Sequence, residues 1–122
     1  MRIMLLGAGG FIGRHILAEL LSVGHQVVAI VRGKAELAEA FPEADFLQLD
    51  LTGATDQIAW IERLKEIDCI VNSAGLLRGA QLDAIHVTMP RALYAAASQV
   101  GVKHVVLISA ISARPDVATD YS

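Results

Sequence analysis

The chain has 122 residues, 54% of them hydrophobic and only 19% charged, against roughly 25% charged in an average domain; this excludes disorder and allows one domain, residues 1–122. Ten basic and thirteen acidic residues leave a net −3 with no block of either sign, which argues against a nucleic-acid or anionic-membrane surface. Cys69 is the single cysteine, so there is no intrachain disulfide and no cysteine-based metal site, and a reducing, cytoplasmic setting is expected.

From the N-terminus, Arg2–Leu6 carries the apolar run Ile3–Leu6, followed at once by glycines, with no small-residue cleavage site. It reads as a strand and not as a signal peptide. Phe11, Ile12, Ile16, Leu17, Leu20 and Leu21 then recur at helical spacing, with Gly24 as the stop. Gln26–Val31 is the second strand, Lys34–Phe41 a short helix ended by Pro42, and Asp45–Leu49 the third strand. A helix is predicted from Thr55 to about Lys65, with Ile58, Ile61 and Leu64 on its inner face and Trp60 beside them as packing. Asp68–Asn72 is the fourth strand. A long apolar segment from Leu82 to Val100 follows, in which Pro90 predicts either a kink or a fresh helix start, and Gly101 closes it. His104–Ser109 is the fifth strand. Most of these strands are continuously apolar, as strands covered on both faces must be. The alternation of strand and helix predicts an α/β fold with a parallel sheet and helices on both faces. No run approaches the roughly 18 apolar residues of a membrane span.

The strongest chemical signal is Gly7-Ala8-Gly9-Gly10-Phe11-Ile12-Gly13, set between the first strand and the first helix. Glycines at 7, 10 and 13 give the spacing GxxGxxG. Gly7 permits the tight turn, Gly9 or Gly10 lets backbone approach a pyrophosphate, and Gly13 lets the helix pack closely on the sheet. Backbone N–H groups and the positive end of the helix dipole would face the phosphates. No Gly-Lys-[Ser/Thr] follows, so a P-loop is excluded. The alternative is a glycine turn with a structural role alone. About 20 residues past such a turn, a carboxylate reads the ribose of NAD. Here Arg32 stands nineteen positions after Gly13, with Lys34 close behind. A cationic fork there favours a 2′-phosphate, so NADP is expected over NAD. A solvated charged loop is the alternative. His15, His25, His86 and His104 show no metal-ligand spacing, and no metal is expected.

Four segments together resemble the short-chain dehydrogenase/reductase superfamily in its extended or atypical branch, most like the NmrA-like and complex I accessory-subunit-like groups. They are GAGGFIG at 7–13, Asp50-Leu51, Asn72-Ser73-Ala74-Gly75, and HVVLISA at 104–110. The resemblance implies a doubly wound Rossmann-type sheet of five strands in the order 3-2-1-4-5, with the dinucleotide over the C-terminal strand ends. It implies that Asp50 accepts the adenine amino group and Leu51 contacts the ring, while Ala74 and Gly75 pass beside the nicotinamide ribose. On the residues alone, Asp50 could also cap a turn before Thr52-Gly53, and Gly75 could end a strand.

The family's chemistry uses a Tyr that exchanges a proton with substrate, a Lys four residues later, and a Ser that orients the substrate oxygen. Tyr121 takes the first role; Tyr94, mid-helix, reads as apolar packing. Ser109, twelve residues before Tyr121, has the better spacing, and Ser112 is its rival. The Lys position falls past Ser122, and His86 stands where many members place an Asn. The expected function is an NADP-dependent oxidoreductase or epimerase-type enzyme acting on a small molecule. The alternative is a non-catalytic NADP-binding redox sensor or accessory subunit. Thirteen residues follow Ser109, too few for the helix and strand that normally come next. The fifth strand is therefore expected to be a bare edge, in a fragment truncated before its substrate-binding part or in a homo-oligomer paired through that edge.

Overall fold

The first strand, β1 (Arg2–Leu6), turns Ile3 and Leu5 to one side and Met4 and Leu6 to the other, and all four are buried. Its unbroken apolar run is thus the consequence of a core on each face of a sheet. The structure, a computed structural model, describes residues 1–33, 35–74 and 84–108. Around β1, β2 (Gln26–Val31), β3 (Asp45–Gln48), β4 (Cys69–Asn72) and β5 (His104–Leu107) complete one parallel sheet in the order β3-β2-β1-β4-β5. This is the expected Rossmann-type order.

Helix α1 (Phe11–Ser22) and the short α2 (Ala35–Ala40) lie on one side, where Leu17 and Leu37 join Ile3, Leu5, Val27, Ala29 and Val31. On the other side α3 (Gln57–Arg63) and α4 (Met89–Val100) place Trp60, Met89 and Leu93 against Met4, Leu6 and Ile70. Every strand-to-strand connection crosses one face or the other, which is what keeps the strands parallel.

Local departures have physical reasons. Ile58 was expected on the inner face of α3 but is 76% exposed, and the fully buried Trp60 takes that place with Leu64. Asp56 caps the helix by accepting the Ile58 N–H at 3.0 Å, so the helix starts at Gln57, two residues later than expected. Trp60 can be buried because its indole Nε1–H donates to the Ala54 carbonyl at 2.8 Å. The long apolar segment breaks into a π-type turn over Ala84–Thr88 and then α4, with Pro90 in the first turn, the fresh start that the proline allowed. Leu82 lies outside the described residues. Strand β3 stops one residue early, at Gln48, and β4 starts one late, at Cys69. Cys69 is a buried free thiol; burial, and then the Asp68 charge, push its pKa up, so it stays neutral.

Candidate functional site

Parallel register brings every strand's C-terminal end to one rim: Leu6 pairs with Ile30 and with Asn72, and Val31 pairs with Gln48. The strand order reverses between β1 and β4, and the crevice of such a sheet lies at that reversal. There the chain leaves β1 through Gly7, whose φ of +79° favours glycine. A Cβ at Gly7 would sit 2.9 Å from the Ala74 nitrogen and the Ser73 carbonyl carbon. At Gly13 it would sit 2.0 Å from the Gly7 carbonyl oxygen. These two glycines therefore serve the close packing of turn, helix and neighbouring strand.

Gly9 and Gly10 are different. A Cβ at Gly9 would meet nothing within 4 Å, and one at Gly10 only the Gly7 oxygen at 3.6 Å. No packing inside the described residues calls for glycine at either position, whereas a ligand passing over the turn would. Gly10 is the N-cap of α1 and no side chain caps that end, so first-turn amides are left to an outside acceptor. Phe11 and Ile12, read from the sequence as part of the helix stripe, are exposed beside those amides. Phe11 instead packs against His15, the rings tilted by 54° with centroids 4.7 Å apart.

Arg32 follows β2 with its side chain 75% exposed. Its guanidinium Nη2 lies 4.0 Å from Asp50 Oδ2, and its carbonyl accepts the Gln48 side-chain amide at 2.8 Å. Asp50 also caps the short turn Leu51–Gly53: its Oδ1 accepts the Thr52 N–H at 3.0 Å and the Thr52 hydroxyl at 2.7 Å. These Thr52 bonds, and then the Arg32 charge, hold the Asp50 carboxyl below the usual carboxylate range. Oδ2 stays on the rim beside Arg32. Leu51 is buried in the core with Trp60.

At the end of β4, Asn72, Ser73 and Ala74 are all buried. The Ser73 hydroxyl donates to the Leu6 carbonyl at 2.6 Å and its N–H to the same oxygen at 3.0 Å, which ties β4 to the mouth of the glycine turn. Asn72 donates to the Tyr94 hydroxyl, so Tyr94 has a polar role that its mid-helix position did not reveal. The signal available in the sequence was the polar pair Asn72-Ser73 closing an apolar strand. Lys34, Gly75, Ser109, Ser112 and Tyr121 lie outside the described residues. Among the described residues no cluster of His, Cys, Asp or Glu could hold a metal ion, and no helix is long and apolar enough to cross a membrane.

Residues 7–122 match the family described as NAD(P)H-binding. The chain belongs to the NAD(P)H-binding family. It is 32% identical over 85 residues to phenylcoumaran benzylic ether reductase PT1 of Pinus taeda, covering 63% of this chain and 27% of that reductase. It is 34% identical over 93 residues to the uncharacterized protein YwnB of Bacillus subtilis, covering 76% of this chain and 39% of YwnB. Among solved structures it is similar to a UDP-glucose 4-epimerase from Stenotrophomonas maltophila with bound NAD, at TM-score 0.74 and 23% identity over 88% of this chain and 36% of that one. The yeast methylglyoxal/isovaleraldehyde reductase Gre2 with NADPH gives TM-score 0.72 and 22% identity, over 88% of this chain and 36% of that one. These two likenesses are of fold. The family match bears out the expected NAD(P)H-binding chain, and the pine reductase and YwnB are each matched over less than two fifths of their own length.

Proposed function

We propose that this chain is the NADP-binding part of an oxidoreductase or epimerase-type enzyme, with the dinucleotide lying across the rim of the sheet from Arg32 to Ala74. The observation that carries this reading is the pair Gly9-Gly10, open to solvent at an uncapped helix N-terminus, beside an exposed guanidinium at the end of β2. The turn supplies amides to the pyrophosphate, and Arg32 supplies charge-assisted hydrogen bonds to a 2′-phosphate. Asp50 Oδ2 accepts the adenine amino group next to Leu51. Ala74 and Gly75 line the nicotinamide ribose, and proton transfer to a small-molecule substrate falls to Tyr121 with Ser109. Nucleotides bound by relatives of this fold include both NAD and NADPH, and Arg32 is what favours NADP here.

Titration with NADPH and NADH tests the reading. NADPH should bind more tightly, and Arg32→Asp should weaken it by about 1.5–3 kcal/mol, the range for a charge-assisted contact. Equal affinity for the two nucleotides in the unmodified chain would sink the preference. Gly10→Val has room to fold, since only the Gly7 oxygen is near, yet it should abolish binding of both. For the chemistry, Tyr121→Phe should remove turnover and leave nucleotide affinity nearly unchanged; surviving turnover would point to another acid.

The exposed Val105, Val106 and Leu107 of β5 carry a further part of the proposal. This edge is covered either by a later segment of a longer polypeptide, in keeping with the greater length of the relatives, or by a second copy of the chain. The buried free thiol of Cys69 is compatible with a cytoplasmic setting.

A further inference from the structure

Asn72 is 1% exposed, and a buried carboxamide needs a partner at each end. Its Oδ1 accepts the Ala74 N–H at 3.0 Å and its Nδ2 donates to the Tyr94 hydroxyl at 2.9 Å. These two bonds are not interchangeable. The Ala74 amide can only donate, so the carboxamide oxygen must face it, and the NH2 end must then face α4. Tyr94 meets that end with an acceptor, its ring half-buried against the core. The adjoining Ser73 hydroxyl is already committed to the Leu6 carbonyl. Among the described residues, the Ala74 N–H is thus held by one side chain, whose other end is anchored by one hydroxyl on another element.

We propose that Tyr94 is a positioning residue: its hydroxyl anchors the NH2 end of the Asn72 carboxamide, and through it holds the backbone at Ala74 where the nicotinamide half of the dinucleotide passes. The nicotinamide side of this inference rests on the cofactor reading given above. Tyr94 touches neither the glycine turn nor Arg32 in this scheme, so its influence should be confined to one half of the ligand.

The test compares the full chain with Tyr94→Phe, which keeps the ring and removes one oxygen. Amide exchange followed by NMR is the first measurement. In the unmodified chain the Asn72 side-chain NH2 should exchange slowly; fast exchange would overturn the proposal without any variant. In Tyr94→Phe the Ala74 N–H should exchange roughly five- to tenfold faster, the factor for one lost hydrogen bond, while the Ser73 N–H, bonded to Leu6, should not change. The second measurement titrates NADPH and 2′,5′-ADP, which lacks the nicotinamide half. NADPH should weaken by a similar factor of roughly five to ten, and 2′,5′-ADP should hold its affinity. An unaltered Ala74 exchange rate, or equal weakening of both ligands, would reduce Tyr94 to a packing residue and overturn the inference. An unmodified chain that binds neither NADPH nor NADH would instead overturn the cofactor reading and the nicotinamide half of this proposal. Amide exchange would then decide the link from Tyr94 to Ala74 by itself.

Discussion

Asp50 does two jobs with two oxygens. Oδ1 closes the turn at Thr52 and Oδ2 lies on the rim beside Arg32. Its lowered pKa fixes the sign of a pH effect. A carboxyl depressed in the folded chain contributes stability that is complete above the unfolded value, about 3.9 for an ordinary aspartate. The contribution is lost as pH falls through the lower folded value. Asp50→Asn keeps an acceptor for Thr52 and removes the charge. The stability difference between it and the unmodified chain should be present at neutral pH and should vanish in acid. A difference that grew on acidification, measured by urea unfolding across pH, would contradict this. The sequence allowed Asp50 either a capping role or a ligand role, and the structure gives Oδ1 to the first and leaves Oδ2 on the rim for the second.

Among the elements, α1 depends most on a single position. Gly13 lies against the Gly7 carbonyl, and an added Cβ would be 2.0 Å from that oxygen. The contact is backbone on backbone, so no side chain can swing away. Gly13→Ala should cost about 3 kcal/mol, at the upper end of overpacking penalties, with Gly9→Ala, which meets nothing, as the control in thermal unfolding. β1, β2 and β4 were legible as apolar runs because burial on two faces leaves few polar positions to blur them. Helix faces were harder to read. Ile58 and Trp60 differ by two places in a short helix, and apolar spacing alone does not decide which of them turns inward. Phe11 and Ile12 matched the helical spacing of α1 yet stand clear of its core, since periodicity cannot tell a residue facing the sheet from one at an open end. The glycine turn was legible from spacing alone. The ties made by Gln48, Ser73 and Tyr94 were not, because each joins residues far apart in the chain through one hydrogen bond.

At the scale of the molecule the central strands β1 and β4 are buried on both faces of the sheet, whereas β5 is exposed along its length. Among the described residues β5 pairs with β4 alone, and Val105, Val106 and Leu107 are exposed. A row of apolar side chains on an edge strand is an invitation to pair with another chain. Light scattering on the 122-residue chain should therefore give a mass above that of a monomer, or a monomer that binds an apolar dye strongly. A salt-insensitive monomer with little dye binding would defeat the exposed-edge argument.

The bond from Ser73 to Leu6 spans 67 residues, and this separation bears on how the molecule is made. As the polypeptide leaves the ribosome, β1, the glycine turn and α1 emerge first, yet the slot beside Gly7 stays unfilled until β4 arrives. Contacts so distant in sequence are slow to form, because closing the intervening loop costs entropy before any contact repays it. Competence to hold a dinucleotide should thus appear in one step once β4 has emerged, and nascent chains ending before Ala74 should show none of it.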